Sequence, residues 1–208
     1  GLGIAVGRSP VGIPPGVDTE ADLRRLEQSM LTTMVPDRPL PVQASGTFRG
    51  TLPKRLLFVC MGNICRSPLA AAWAARRARE LGLQLDIASA GTHAYHRDRG
   101  ADPRSQAIGR AAGLNLLSHR ARPVDATDFV RYDLIIGHDQ RNLDDLLAVC
   151  PEGLRHKVRL LLEFVPQPGS REVPDPYTGD HEAFILAFRL IRAGVDGLIE
   201  QISSGARG

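Results

Sequence analysis

The segment that most constrains the fold of this chain is RLLFVC-MGNICRS-PLAAAWAARRARELG, running from Arg55 to Gly82. Its first six residues are apolar and partly β-branched, the pattern of a short buried strand. Pro68 suits the first turn of a helix, the alanine-rich stretch behind it favours helix, and Gly82 is placed to stop it. Between strand and helix lies a loop with the chemistry of an anion cradle. Gly62 can take positive φ, and Asn63 tolerates the left-handed region better than most residues. A loop of that shape turns several backbone N–H groups inward as a nest, and the helix behind it adds its positive end. Arg66 can grip two phosphate oxygens at once. Cys60 then sits among donors and positive charge, the setting that makes a thiol a thiolate nucleophile, here aimed at phosphorus. Ser67 is placed to donate a hydrogen bond to that sulfur.

Further along, residues 84–89 read as a second strand and 102–112 as a helix closed by Gly113. Residues 132–137 (YDLIIG) read as a third strand, 139–149 as a helix, 158–164 (VRLLLEF) as a fourth strand, and 181–202 as a long closing helix. Strands alternating with helices predict an α/β fold, a parallel sheet covered on both faces. Ligands on such sheets bind at the carboxyl ends of the strands, where Cys60 falls. Residues 1–17 are Gly- and Pro-rich and read as a flexible arm. Leu23, Leu26, Met30 and Met34 recur at helical spacing, predicting a helix from about Asp18 to Val35. Its apolar stripe suits packing on its own domain, with docking on another protein or gating of a cleft as the functional alternative. A proline-rich linker follows. The division predicted is therefore an extension over 1–52 and a catalytic domain over 53–208.

The formal net charge of +3 is too slight for a nucleic-acid binder, although nearly all the positive charge is arginine, Lys54 and Lys157 being the sole lysines. Three cysteines, Cys60, Cys65 and Cys150, make no disulfide scaffold and suggest a reducing compartment. No apolar run reaches the roughly 18 residues of a membrane span, and the first residues do not read as a signal peptide. A cytoplasmic location is the expectation, with leaderless export left open. No cofactor is implied.

CMGNICRSPLA closely resembles the signature of the low-molecular-weight protein tyrosine phosphatases: Cys, five residues, Arg, then Ser or Thr. The resemblance extends from about Leu56 to Ile202. VPDPYTG (173–179) resembles the family's general-acid loop, Ser89-Ala-Gly-Thr the segment after its second strand, and His119-Arg-Ala-Arg with YDLIIGHDQRN its middle region. The resemblance implies a four-stranded parallel sheet in the order 2-1-3-4 with flanking helices. It also implies hydrolysis of protein phosphotyrosine through a phosphocysteine on Cys60. Arg66 and the loop residues Met61, Gly62, Asn63, Ile64, Cys65 and Ser67 would hold the phosphate, and Asp175 would serve as general acid and base. Asn63, Ser67, Ser89 and His119 match a supporting hydrogen-bond network; Ile64, Tyr95 and Tyr177 match positions that line the substrate cleft. No metal is implied, since arginine and backbone supply the positive field. Phosphotyrosine-containing proteins are the implied partners, with inorganic phosphate as product and competitive ligand.

The family also implies a reversible Cys60–Cys65 disulfide that protects the nucleophile. Four positions depart from common family residues: Tyr95 (often Trp), Thr178 (Tyr in some members), Ala71 (commonly Glu) and His138 (often Met). These bear on substrate preference more than on the reaction. Rival readings are an arsenate reductase, which needs a cysteine relay that Cys150 does not supply, and a protein-arginine phosphatase, which typically carries Thr in place of Ile64. A phosphotyrosine-binding scaffold without turnover is a third. A zinc cluster of Cys60, Cys65, His93 and His96 fits no usual finger spacing. Asp175, between two prolines, has a plainer reading as a turn residue.

Overall fold

The computed structural model describes residues 51–165 and 171–207; the helix predicted over 18–35, with its stripe and linker, lies outside them. In chain order the elements are β1 (Arg55–Cys60), α1 (Arg66–Glu80), β2 (Asp86–Gly91), α2 (Pro103–Ala111), α3 (Ala126–Arg131), β3 (Leu134–Gly137), α4 (Gln140–Val149), β4 (Val158–Leu160) and α5 (His181–Arg207). The four strands form one parallel sheet in the order β2-β1-β3-β4, the order that the family resemblance implied.

β1 lies at the centre because it has no polar face. Leu56, Leu57, Phe58 and Val59 are all completely buried, as expected of a parallel strand covered on both sides. Alternate side chains feed two cores. Leu56 and Phe58 join α1, α2 and α5 through Leu69, Trp73, Ile108, Phe184 and Ile191. Leu57 and Val59 join Phe129 of α3 and Leu146 of α4 on the opposite face. Cys150, which caps α4, belongs to that second core.

Local chemistry sets the helix ends. α1 stops at Leu81, with Gly82 at φ 68°, a conformation that favours glycine. Asp102 caps α2 by accepting from Arg104 N at 2.9 Å, and Gly113 follows at φ 72°. Asp139 caps α4 by accepting from Asn142 N at 2.7 Å.

Several elements differ from the sequence reading; β3 begins at Leu134 rather than 132, and α5 runs on to Arg207 rather than ending at 202. The second strand lies two residues later, ending at Gly91, where it pairs with Cys60. α3 was not foreseen; it carries a full capping box between Asp125 and Asp128, and Tyr132 leaves the sheet to close this helix. The fourth strand is shorter: only Val158–Leu160 pair with β3, and Leu161–Phe164 turn into a 3-10 helix. The cause is α5, whose Gly194 and Gly197 let its backbone press on that turn. A Cβ at Gly194 would meet Leu161 Cγ at 2.5 Å. Among the described residues no helix is long and apolar enough to cross a membrane.

After β1 the chain crosses to β2 on one side, and β3 later pairs on the other. The carboxyl ends of β1 and β3 therefore flank a topological switch point, the crevice where ligands bind in open α/β sheets.

Candidate active site

The loop from Cys60 to Ser67 leaves β1 directly into this crevice. Asn63, at φ 54°, makes its sharp bend and is entirely buried. Asn63 Nδ2 donates to Ser67 Oγ and to Ser89 Oγ, both at 2.9 Å, while Asn63 Oδ1 accepts from Arg122 N at 3.0 Å. His119 Nε2 meets Asn63 O at 2.7 Å. Three more of the loop's carbonyls are tied outward: Cys60 O by Thr92 N (2.9 Å), Met61 O by His93 N (3.0 Å) and Ile64 O by Asp102 N (2.8 Å). Acceptors fixed to the surrounding scaffold leave a loop's N–H groups for an anion in its hollow. Gly91 makes this approach possible, since a Cβ there would meet Met61 O at 2.7 Å.

Cys60 is 3% exposed, and its Sγ lies 3.1 Å from Ser67 Oγ. Arg66, 1% exposed, is the largest side chain so deeply buried. Its Nη1 donates to Asp139 Oδ2 at 2.5 Å and to Val173 O at 2.9 Å; its Nη2 donates to Asp175 Oδ2 at 2.7 Å. Nε is buried without a partner among the described residues. Burial works against the guanidinium's charge, but the Cys60 sulfur, Asp175 and Asp139 outweigh it and hold its pKa above the ordinary value. Asp139 follows β3 across the switch point, and Asp175 comes from the loop before α5. The site thus joins residues far apart in sequence.

A cavity of about 130 Å³ opens over Cys60, lined also by Ile64, Arg66, Tyr95, Asp175 and Tyr177. Tyr95 is 72% exposed and stacks on His93 with ring centroids 4.9 Å apart. Tyr177 is exposed too, and its N–H donates to Asp175 Oδ1 at 3.2 Å. Cys65 lies in the cavity wall, where burial pushes its thiol far up, with Asp102 adding to the effect. All three cysteines are free thiols.

Of the site residues singled out from the sequence, Cys60, Met61, Gly62, Ile64, Cys65, Arg66, Tyr95, Asp175 and Tyr177 line one cavity, while Ser67, Ser89 and His119 all bond to Asn63 in the loop. Three further residues were not anticipated. Asp139 is the closest partner of Arg66, Arg122 ties down Asn63, and His96 lines the cavity wall, with Cδ2 2.7 Å from where a Cβ on Gly62 would stand. Asp139 gave only a helix-cap signal, and its meeting with Arg66 needs the strand order. His138, next to it, is completely buried; Nδ1 lies 2.9 Å from Val59 O. Burial, helped by the nearby Arg66 charge, lowers its pKa to about 3, so its ring is neutral. A thiol, a buried guanidinium and a partly exposed carboxylate around one small cavity make a chemistry suited to displacement at phosphorus.

The model of the family described as low molecular weight phosphotyrosine protein phosphatase matches residues 55–207. The low molecular weight protein-tyrosine-phosphatase of Streptomyces coelicolor is 37% identical over 159 residues, 74% of this chain and 96% of that protein. The low molecular weight phosphotyrosine protein phosphatase of Schizosaccharomyces pombe is 38% identical over 133 residues, 62% of this chain and 85% of that protein. Among solved structures, a protein tyrosine phosphatase from Entamoeba histolytica superposes with a TM-score of 0.69 at 35% identity, over 73% of this chain and 98% of that one. The chain belongs to the low-molecular-weight protein tyrosine phosphatase family.

Proposed function

We propose that this enzyme hydrolyses phosphotyrosine on proteins, with Cys60 as nucleophile, Arg66 as phosphate anchor and Asp175 as general acid and base. The observation that carries the reading is the convergence of Cys60, Arg66 and Asp175 on one cavity, although Arg66 and Asp175 are 109 positions apart. Cys60 Sγ attacks phosphorus and the phenol oxygen leaves, taking a proton from Asp175. Water, deprotonated by Asp175, then breaks the S–P bond and releases inorganic phosphate, which also competes for the site.

Arg66 Nε supplies a donor that has no partner among the described residues. An incoming phosphate oxygen competes with Asp175 for Nη2, so binding frees the carboxyl group for proton transfer. The loop amides and Arg66 stabilise charge on the equatorial oxygens. Ser67 Oγ supports the sulfur; Asn63, Ser89 and His119 hold the loop's shape. Ile64, Tyr95 and Tyr177 flank the aromatic ring, and the apolar Ile64 favours an aryl phosphate over the rival substrates. The catalytic unit is residues 53–208, with 1–52 an appended extension, and free thiols suit a reducing, cytoplasmic setting.

The test is p-nitrophenyl phosphate turnover across pH, with chelator present, for the parent, Cys60→Ser and Asp175→Asn. The parent should turn over, Cys60→Ser should be inactive, and Asp175→Asn should lose roughly 10²–10⁴-fold in kcat with the limb for its general acid flattened. An active Cys60→Ser enzyme would remove the phosphocysteine from the mechanism.

A further inference from the structure

Beyond the wall formed by Ile64, His96 and Tyr177 lies a second, larger groove of about 360 Å³. The same three residues line the cavity over Cys60, so the two hollows share a partition. An aryl phosphate seated over Cys60 would carry its own peptide backbone past that wall, with room beyond it for a neighbouring side chain.

The charge lining the groove is unbalanced. Its acid, Asp102, is nearly buried and saturated by Arg104: Oδ1 accepts from Arg104 N at 2.9 Å and Nε at 3.0 Å, and Oδ2 accepts from Nη2 at 2.9 Å. Arg104 is in turn fixed to Tyr177 O at 3.1 Å and Gly179 O at 3.2 Å. Gln106 Nε2 is committed to Ala101 O at 2.7 Å. The remaining charged group in the lining is Arg99, exposed, with a side chain that makes no ion pair or hydrogen bond among the described residues. Asp98 precedes it at φ 65° and is not part of the lining. Ile64 and Tyr177 give the groove an apolar wall beside that cation, a combination suited to a side chain with a short methylene stem and a carboxylate head.

We infer that this groove is a specificity subsite for an acidic residue flanking the phosphotyrosine, with Arg99 as its cation. The inference rests on the phosphatase reading above and adds the substrate class to it. Arg99 is too exposed for a tight pair, so the preference should be modest and sensitive to salt.

The test compares kcat/KM for phosphotyrosyl peptides that differ only in having Glu, Gln or Lys on both sides of the phosphotyrosine, with p-nitrophenyl phosphate as a substrate too small to reach the groove. The parent should favour Glu over Lys by roughly fivefold to tenfold, mainly through KM, and the ratio should shrink at high salt. Arg99→Glu should invert the ratio. Gly100→Phe should erase it by filling the groove; the nearest heavy atom to a Cβ there is Gln106 Nε2 at 4.0 Å, so the side chain can be accommodated. Both variants should melt like the parent and keep its p-nitrophenyl phosphate turnover. A parent that hydrolyses p-nitrophenyl phosphate but treats the three peptides alike would overturn the subsite, as would a Glu preference that survives Arg99→Glu. A parent inactive on every substrate would overturn the phosphatase reading and the subsite with it.

Discussion

Asp139 holds Arg66 Nη1 at 2.5 Å through Oδ2, while its Oδ1 caps α4 at Asn142 N, 2.7 Å away. One carboxylate thus anchors both a helix and the guanidinium. Asp139→Asn should keep the cap, since Asn caps as well as Asp, but lose the charge that fixes Arg66. The expected result is a raised KM and a kcat lower by about tenfold or more, with most of the thermal stability retained. Asp139→Ala should lose about 1–2 kcal/mol further in urea denaturation, for the missing cap. Parent-like kinetics in Asp139→Asn would mean that Asp175 and Val173 O position Arg66 unaided.

Asn63 combines a left-handed backbone with three side-chain hydrogen bonds. Asn63→Gly preserves the backbone and removes the bonds; Asn63→Ala removes the bonds and adds strain. Both should be destabilised by about 2–4 kcal/mol, with Ala worse than Gly by about 1 kcal/mol. Chemical denaturation of the pair separates the contributions. Equal losses would place the whole cost in the hydrogen bonds.

Burial of neutral His138 ties stability to pH. Its folded pKa, about 3, lies below the ordinary 6.5, so the unfolded chain binds the extra proton first. The stabilising difference is complete above pH 6.5 and is lost as pH falls toward 3. His119 and His181 are lowered as well, chiefly by burial, and act in the same direction. Between pH 6.5 and 4.5, His138 alone should contribute a loss of about 2–3 kcal/mol. Measuring unfolding free energy against pH for the parent and His138→Met isolates this part. Parallel curves would show that His138 is not held neutral.

The raised pKa of Cys65 keeps it protonated at neutral pH. Iodoacetamide should therefore label Cys60 in the native enzyme, with inorganic phosphate protecting it, and reach Cys65 only after denaturation. Mild peroxide should inactivate the parent reversibly, recovery following a thiol reductant. Cys65→Ser should be lost permanently if Cys65 captures the oxidised nucleophile as a disulfide. Capture should quicken as pH rises, because it needs the Cys65 thiolate. Equal recovery of parent and variant would exclude that protective step.

Local signals found what local forces determine. The apolar run Arg55–Cys60 gave β1 to the residue, because a fully buried strand has no alternative use for such a run. VRLLLEF was overextended as a strand for a complementary reason: an apolar run does not reveal that Gly194 and Gly197, more than thirty positions on, bring a helix backbone against Leu161. The loop from Cys60 to Ser67 was legible as one contiguous motif, and the place of Asp175 beside it through the family resemblance. Asp139, Arg122 and His96 were not, since their roles arise from strand order and the fold of the 92–122 region. α3 was missed although Asp125 and Asp128 spell a capping box, an overlooked local signal rather than a tertiary one.

The gap of 109 positions between Arg66 and Asp175 also has a meaning in time. A ribosome adding about 5–20 residues per second needs roughly 5–20 s to travel from one to the other. During that interval the nascent chain already carries Cys60 and its loop, without the carboxylate of Asp175. On the proposed mechanism full turnover therefore waits for Asp175, and its appearance could serve as a clock for the arrival and docking of the segment that carries this carboxylate.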